Sequence, residues 1–366
     1  MTSPGKPLEV LVVDDSVVVR SIVRSVLTKD PGLHVDIARN GRAALEAIAV
    51  SVPDFVVLDI EMPELDGLST LREIRKIHPR LPVVMFSTLT ERGAAVTLEA
   101  LAAGANDYLP KPVAAAGLEA MREQLFVDLT TRIEALCRRT PAPAAPVAPP
   151  PPVVAPRGPR TRPVELVVIG SSTGGPNALT LLFSQLPEDL PVPVVVVQHM
   201  PPTFTMMLAK SIDAKSPMSV AEGSDGARLA PGHAWIAPGG FHSTIVQRDG
   251  AFVIATNQDP PECSVRPAVD VLFRSAASTH GDGVLAVVLT GMGVDGCAGA
   301  KVLRAAGAQV IVQDEPSSIV WGMPGAIVRA GLADAVLPLE SIAAEIVRRV
   351  ARTPRRPAVA ATRSSS

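Results

Sequence analysis

LEVLVVDDSVVVRSIVRSVL, residues 8–27, decides the architecture of this chain. Leu8–Val13 is a short run dominated by valine and leucine, and such a run reads as a strand buried on both faces. Two aspartates and a serine stop it, and Val17–Leu27 then carries apolar residues at helical spacing. Strand, polar turn and helix make the opening of a βαβ unit. Working outward, further strands are predicted over Leu33–Ala38, 55–58, 83–86 and 107–109, and helices over 42–49, 68–77, 94–103 and 118–136. Strands alternating with helices imply a parallel sheet covered on both faces.

At 366 residues the chain is too long for one ordinary core and fits two domains with connectors. Residues 141–163 (PAPAAPVAPPPPVVAPRGPRTRP) hold ten prolines and read as an extended, semi-stiff spacer. Beyond it, strands over 166–169, 192–197 and 285–289 and a helix over 177–186 predict a second parallel α/β domain. The divisions expected are 1–126, a helix extension and linker over 127–163, a second domain over 164–352, and a frayed tail over 353–366. With 47% hydrophobic and 19% charged residues the chain can bury sizeable cores. A formal charge of −2 argues against an overall electrostatic grip on nucleic acid, and 3% aromatic residues leave little for a base-stacking platform. Cys137, Cys263 and Cys297 are widely spaced, suggesting neither zinc ligation nor a disulfide framework, so a reduced, cytoplasmic setting is the expectation. No signal peptide and no membrane-length apolar run is read, so no membrane insertion is expected.

Ligands of open α/β sheets bind beyond the carboxyl ends of the strands. There, Asp14 and Asp15 end the first strand, Asp59 the third and Ser87 the fourth, and Lys111 follows the fifth. Three carboxylates on one rim repel, and a hard divalent cation would relieve them. Asp59 can then attack a phosphoryl group if the cation and Lys111 neutralise its oxygens, with Ser87 holding one of them. Aspartates after strands also cap helices, and a Lys-Pro pair also ends a strand. The five positions together favour the phosphoacceptor.

VLVVDDS, VVLDIEMPELDGL, MFSTLT and YLPKP stand in the order of a two-component receiver domain, which residues 8–126 resemble. That resemblance implies a flavodoxin-like fold with Asp59 as phosphorylation site. It implies Asp14, Asp15, Asp59 and the backbone carbonyl of Glu61 as Mg2+ ligands, and Lys111 as phosphate partner. Ser87 becomes the switch hydroxyl and Tyr108 the aromatic that moves with it. A CheA-type histidine kinase is the implied phosphodonor.

In the second half, GSSTGG (170–175) follows a strand and precedes a helix opened by Pro176. A glycine-rich turn there can cradle a pyrophosphate, but the dinucleotide fingerprint wants glycine where Ser172 stands, and no acid ends the next strand to hold a ribose. A catalytic reading competes. Ser172 would sit on a tight strand-to-helix turn with its hydroxyl exposed, His199 ends the next strand, and Asp295 follows another. A hydroxyl, an imidazole and a carboxylate on one rim are the parts of an activated nucleophile, in which Asp295 orients His199 and His199 takes the serine proton. Serine at a helix start also caps, a histidine at a strand end is also structural, and aspartate among glycines also forms turns, so spacing alone leaves this open.

IGSSTGGP, VVVQHMPPTFT, IAPGGFH, RPAVDVLF, AVVLTGMGVDG and QDEPSSIVWGMP resemble the catalytic domain of the chemotaxis protein-glutamate methylesterase (CheB) family, over 164–350. The receiver–linker–esterase order also matches. The resemblance implies two doubly wound parallel-sheet domains, the second Rossmann-like, with Ser172 as nucleophile, His199 as base and Asp295 as orienting acid. It places Thr173 near the imidazole and the Met292 amide in the oxyanion hole, and it implies ester hydrolysis without a cofactor. The implied substrates are glutamyl methyl esters, and glutamines, on the cytoplasmic domains of methyl-accepting chemoreceptors, with the receiver covering the triad rim until phosphorylated. Where the family usually has alanine, this chain has Ser171. A phosphorylation-gated docking module without catalysis is the competing function. His233 and His242 are expected to be structural, and His34, His78 and His280 to lie on the surface or in loops. Arg266 is expected to meet an acidic substrate helix or form a surface salt bridge.

Overall fold

The computed structural model describes residues 6–111, 117–137 and 162–351. The predicted tail, and all of the predicted spacer but its last two residues, fall outside the described residues.

The first domain runs β1 (Leu8–Val13), α1 (Val17–Leu27), β2 (Leu33–Ala38), α2 (Gly41–Val50), β3 (Phe55–Asp59), α3 (Gly67–Ile77), β4 (Val83–Ser87), α4 (Glu91–Ala102), β5 (Asp107–Pro110) and α5 (Leu118–Cys137). Its five strands are parallel in the order β2-β1-β3-β4-β5. β3 and β4 are buried along their whole length because helices cover both faces. The polar residues that stop the chain also start it again. Ser16, Asn40, Asp66 and Thr90 each accept a backbone N–H in the first turn of α1 to α4. Helix α5 is continuous across residues 126 and 127 and buries Leu125, Leu129 and Ile133 in this domain's core.

The second domain runs β6 (Leu166–Ser171), α6 (Gly175–Ser184), β7 (Val194–Gln198), α7 (Phe204–Asp213), β8 (Ser219–Glu222), β9 (His233–Ile236), β10 (His242–Arg248), β11 (Ala251–Asn257), α8 (Val269–His280), β12 (Val284–Val288), α9 (Cys297–Ala305), β13 (Gln309–Gln313), α10 (Met323–Arg329), β14 (Ala335–Leu337) and α11 (Leu339–Ala351). Seven parallel strands are ordered β14-β13-β12-β6-β7-β9-β8, so β6 is flanked by β12 and β7. The chain departs from β6 to either side, which opens the crevice where such sheets place ligands. Beyond the three strands read from the sequence stand β8, β9, β13, β14 and the antiparallel hairpin β10–β11. β8 and β9 are only four residues long and β14 only three, too short for a periodic signal. The hairpin did carry a signal in Asp249-Gly250, whose φ values of 50° and 75° are those that tight hairpin turns demand.

The two domains pack together. Helix α4 lies against α6 and α7, and the Asn177 side-chain amide donates to the Leu101 carbonyl at 2.7 Å. The Tyr108 ring stacks on Phe204 with centroids 4.8 Å apart and planes 8° apart. One hydrophobic cluster continues from Leu101 and Tyr108 into Leu179, Phe204 and Leu208.

Candidate active site and phosphoacceptor pocket

The backbone around Ser172 is pinned from several sides. Its amide donates to the Thr290 carbonyl at 3.1 Å, and its carbonyl accepts from the Gly175 amide at 2.7 Å and the Gln198 side chain at 2.9 Å. Gly174, at φ 77°, makes the turn into α6. Ser171 is fully buried, and its hydroxyl lies 2.7 Å from Gln198 Oε1. Ser172 is half-buried, and its hydroxyl makes no hydrogen bond among the described residues. The two adjacent serines are therefore unlike: one is structural and the other presents a free hydroxyl at the rim. Gln198, which sequence reasoning passed over, ties this turn to the end of β7.

His199 follows β7 on the same rim, and its Nε2 lies 2.8 Å from Asp295 Oδ2. Asp295 is 2% exposed, yet its two oxygens also accept the amides of Val269 at 2.7 Å, Asp270 at 2.9 Å and Gly296 at 2.8 Å. Val269 and Asp270 open α8, so the positive end of that helix faces the carboxylate. Burial pushes the Asp295 carboxyl up, but the His199 contact and these amides outweigh it and hold the acid below the usual carboxylate range. An ionised carboxylate only accepts, so the proton of neutral His199 sits on Nε2 and the lone pair on Nδ1. No hydrogen bond joins the Ser172 hydroxyl to that ring; histidine and aspartate are coupled, while the serine stands beside them unbonded.

The loop after β12 completes the rim. Among the described residues the amides of Thr173 and Met292 have no acceptor, whereas the neighbouring Gly291 amide is taken by Val320 at 3.0 Å. Gly291 is where two segments touch: a Cβ there would lie 2.4 Å from Met323 Sδ and 3.0 Å from the Ser172 amide nitrogen and Cβ. Gly291→Ala is expected to push the Met292 loop away from the serine, lowering kcat about 10- to 100-fold and stability by about 1–3 kcal/mol. Turnover and thermal unfolding on the same preparation check both effects.

In the first domain, Asp14, Asp15 and Asp59 each offer a carboxylate oxygen, all within 4.8 Å of one another. Lys111 Nζ lies 2.9 Å from Asp14 Oδ2 and 2.8 Å from Asp59 Oδ2. Burial, with added repulsion from Asp14, pushes the Asp59 carboxyl up to about 6 despite Lys111. Such a frustrated acidic cluster suits a hard divalent cation. The Glu61 amide donates to Asp59 Oδ1 at 3.4 Å, which places that residue beside the cluster. Ser87 is turned toward α4, its hydroxyl oxygen accepting from Thr97 at 2.8 Å, and Tyr108 is buried against Phe204.

Two of the remaining expectations are corrected. His280 is not a surface residue: it is 4% exposed at the end of α8 and packs against the Phe252 ring, because that end of the helix turns under the β10–β11 hairpin. Arg266 is half-buried and forms no surface salt bridge among the described residues. Its guanidinium donates to the carbonyls of Gln258 and Asp259 at 2.8 and 2.9 Å, satisfying a loop that has no ladder of its own. His242 is buried, with Nδ1 accepting the Ala268 amide and Nε2 donating to the Pro260 carbonyl, while His233 is exposed on β9. His34 lies exposed on β2 beside Glu9, and His78 is half-buried at the end of α3.

Fold and rims together define a class of protein: a receiver domain packed on a parallel α/β domain whose switch point gathers a serine, a histidine and an aspartate. Residues 10–123 match the family of response regulator receiver domains, and residues 167–346 match the CheB methylesterase family. The chain is 49% identical over 356 residues to a protein-glutamate methylesterase/protein-glutamine glutaminase of Nocardioides sp., covering 95% of this chain and 96% of the relative. The protein of the same name from Trichodesmium erythraeum is 45% identical over 346 residues, covering 93% and 98%. The crystal structure of the Thermotoga maritima CheB methylesterase catalytic domain is 41% identical, with a TM-score of 0.50, and covers 50% of this chain and 97% of that one. The chain belongs to the CheB methylesterase family.

Proposed function

We propose that this chain hydrolyses glutamyl γ-methyl esters on the cytoplasmic domains of methyl-accepting chemoreceptors, releasing methanol, and deamidates glutamines there. The observation that carries the reading is the His199–Asp295 pair, 2.8 Å apart, on the rim that also bears the free hydroxyl of Ser172. Ser172 Oγ attacks the ester carbonyl as its proton passes to His199 Nδ1, and Asp295 stabilises the imidazolium. The amides of Met292 and Thr173, which have no other acceptor among the described residues, receive the developing oxyanion. The imidazolium returns its proton to the leaving methoxide, or to the leaving amine of a glutamine. Water, deprotonated by the same nitrogen, then cleaves the acyl-serine to the free glutamate. No step calls for a metal or organic cofactor.

Asp59 is the phosphorylation site in this reading, supplied by a CheA-type histidine kinase in the cytoplasm. Asp14, Asp15, Asp59 and the Glu61 carbonyl would hold Mg2+, which supplies charge neutralisation at the phosphoryl oxygens. Lys111 stands where it can pair with the phosphate, and Ser87 and Tyr108 form the switch that answers it. Until then the docked receiver covers the triad rim: Phe204, five residues beyond His199, is capped by Tyr108. Methanol release from methylated chemoreceptor membranes tests the whole scheme. A small-molecule phosphodonor with Mg2+ raises the wild-type rate about tenfold or more, and Asp59→Asn abolishes that stimulation while leaving the basal rate. A wild-type rate indifferent to the phosphodonor would remove the inhibitory cover.

A further inference from the structure

We propose that Asp107 is a latch: a carboxylate of the receiver that takes hold of the nucleophile turn and keeps it in the resting arrangement. Asp107 opens β5, is 6% exposed, and its Oδ2 accepts two donors from opposite sides. One is Arg132 Nε of α5 at 2.8 Å, within the receiver. The other is the hydroxyl of Thr173, the residue after Ser172, at 3.0 Å. The contact does not end at Thr173. Its carbonyl accepts the Thr290 hydroxyl at 2.9 Å, and Thr290 accepts the Val320 amide at 3.0 Å immediately before the Gly291–Met292 loop. A continuous chain of hydrogen bonds thus runs from α5 of the receiver to the turn that holds the serine and the loop that offers its oxyanion donor.

The electrostatics favour rest over turnover. The Asp107 carboxylate beside Thr173 sets negative charge next to the site where an oxyanion would form, and its contact with Arg132 keeps it aimed there. With the turn held in this way the Ser172 hydroxyl is not bonded to His199. β5 also supplies a route for release. Asp107 and Lys111 are four residues apart, about 13 Å along an extended strand, and Lys111 contacts both Asp14 and Asp59. The next residue, Tyr108, carries the stack on Phe204, so one short strand grips the segments that follow both Ser171 and His199 while its far end sits in the phosphoacceptor pocket. Displacing Lys111 at one end shifts both grips at the other.

The latch rests on the esterase reading of Ser172 and on the docked receiver being inhibitory, and its test separates the three. Methanol release from methylated chemoreceptor membranes is measured for the full-length wild type, Asp107→Ala, Asp107→Asn and Ser172→Ala, each with and without a small-molecule phosphodonor and Mg2+. Loss of a hydrogen bond to a charged acceptor is expected to raise the unstimulated rate of Asp107→Ala about tenfold, with Asp107→Asn between it and wild type. Both variants still become phosphorylated on Asp59, and their stimulated rates match the stimulated wild type. Stimulated wild type with an Asp107→Ala basal rate equal to that of wild type overturns the latch alone. If Asp107→Ala gains basal activity but no longer accepts phosphate, an unfolded receiver explains the gain, and Asp107→Asn decides: no rise with phosphorylation intact overturns the latch. Activity retained by Ser172→Ala overturns the esterase reading instead, and an unstimulated wild type overturns the inhibitory cover.

Discussion

Ser172→Ala is expected to lower the rate of methyl ester hydrolysis by about four to six orders of magnitude, because in the proposed scheme its hydroxyl forms the acyl-enzyme. Folding is spared, because the Ser172 hydroxyl makes no hydrogen bond among the described residues and the turn is held through its backbone. The change in stability is expected within about 0.5 kcal/mol. Ser171→Ala gives the opposite pattern. That hydroxyl is buried 2.7 Å from Gln198 Oε1, so its loss leaves a buried polar atom short of a partner and costs about 1–3 kcal/mol while the chemistry survives. Methanol release and urea unfolding on the two variants check the assignment. Near-normal turnover by Ser172→Ala would end it.

Asp295→Asn costs about 10^4 in kcat, and the reason lies in hydrogen-bond polarity. Asp295 faces N–H donors only: Oδ2 accepts from Val269 and His199, and Oδ1 from Asp270 and Gly296. An asparagine must turn its NH2 toward one of these pairs. Toward His199, it forces Nε2 to accept, moves the ring proton to Nδ1 and leaves no lone pair for the serine. Toward α8, it sets an amide against the Asp270 and Gly296 N–H groups and loosens the loop. Either way the damage falls on kcat rather than on KM, because bound substrate meets the same surface. A kcat within tenfold of wild type would show that Asp295 does not set the tautomer of His199.

How much was legible in the sequence varied with the distance over which the signal acts. Strands such as β3, β4, β6 and β12 are buried on both faces, and their near-continuous apolar runs can be read without a structure. Ser16, Asp66 and Thr90 mark helix starts through bonds three residues long. Elements whose stability comes from neighbours were not visible in this way. β8 and β9 are four residues each and exist because β7 offers an edge, and His280 looked peripheral until the hairpin covered it. Gln198 gave no motif of its own, since its role is to bridge two turns separated by 26 residues.

The order of strands and helices, the glycine turn at Ser172 and the acids ending β1 and β3 follow from local chemistry, because backbone pairing, caps and burial act within a few residues. Those features set what each rim could do. The bonding of His199 to Asp295 across 96 residues, the reach of Asp107 to Thr173 across 66, and the stacking of Tyr108 on Phe204 are decided by tertiary packing. A side chain's partner at such separations depends on how whole sheets and domains settle against one another. Free-energy terms of that kind are summed over many residues and written in no single stretch of the chain.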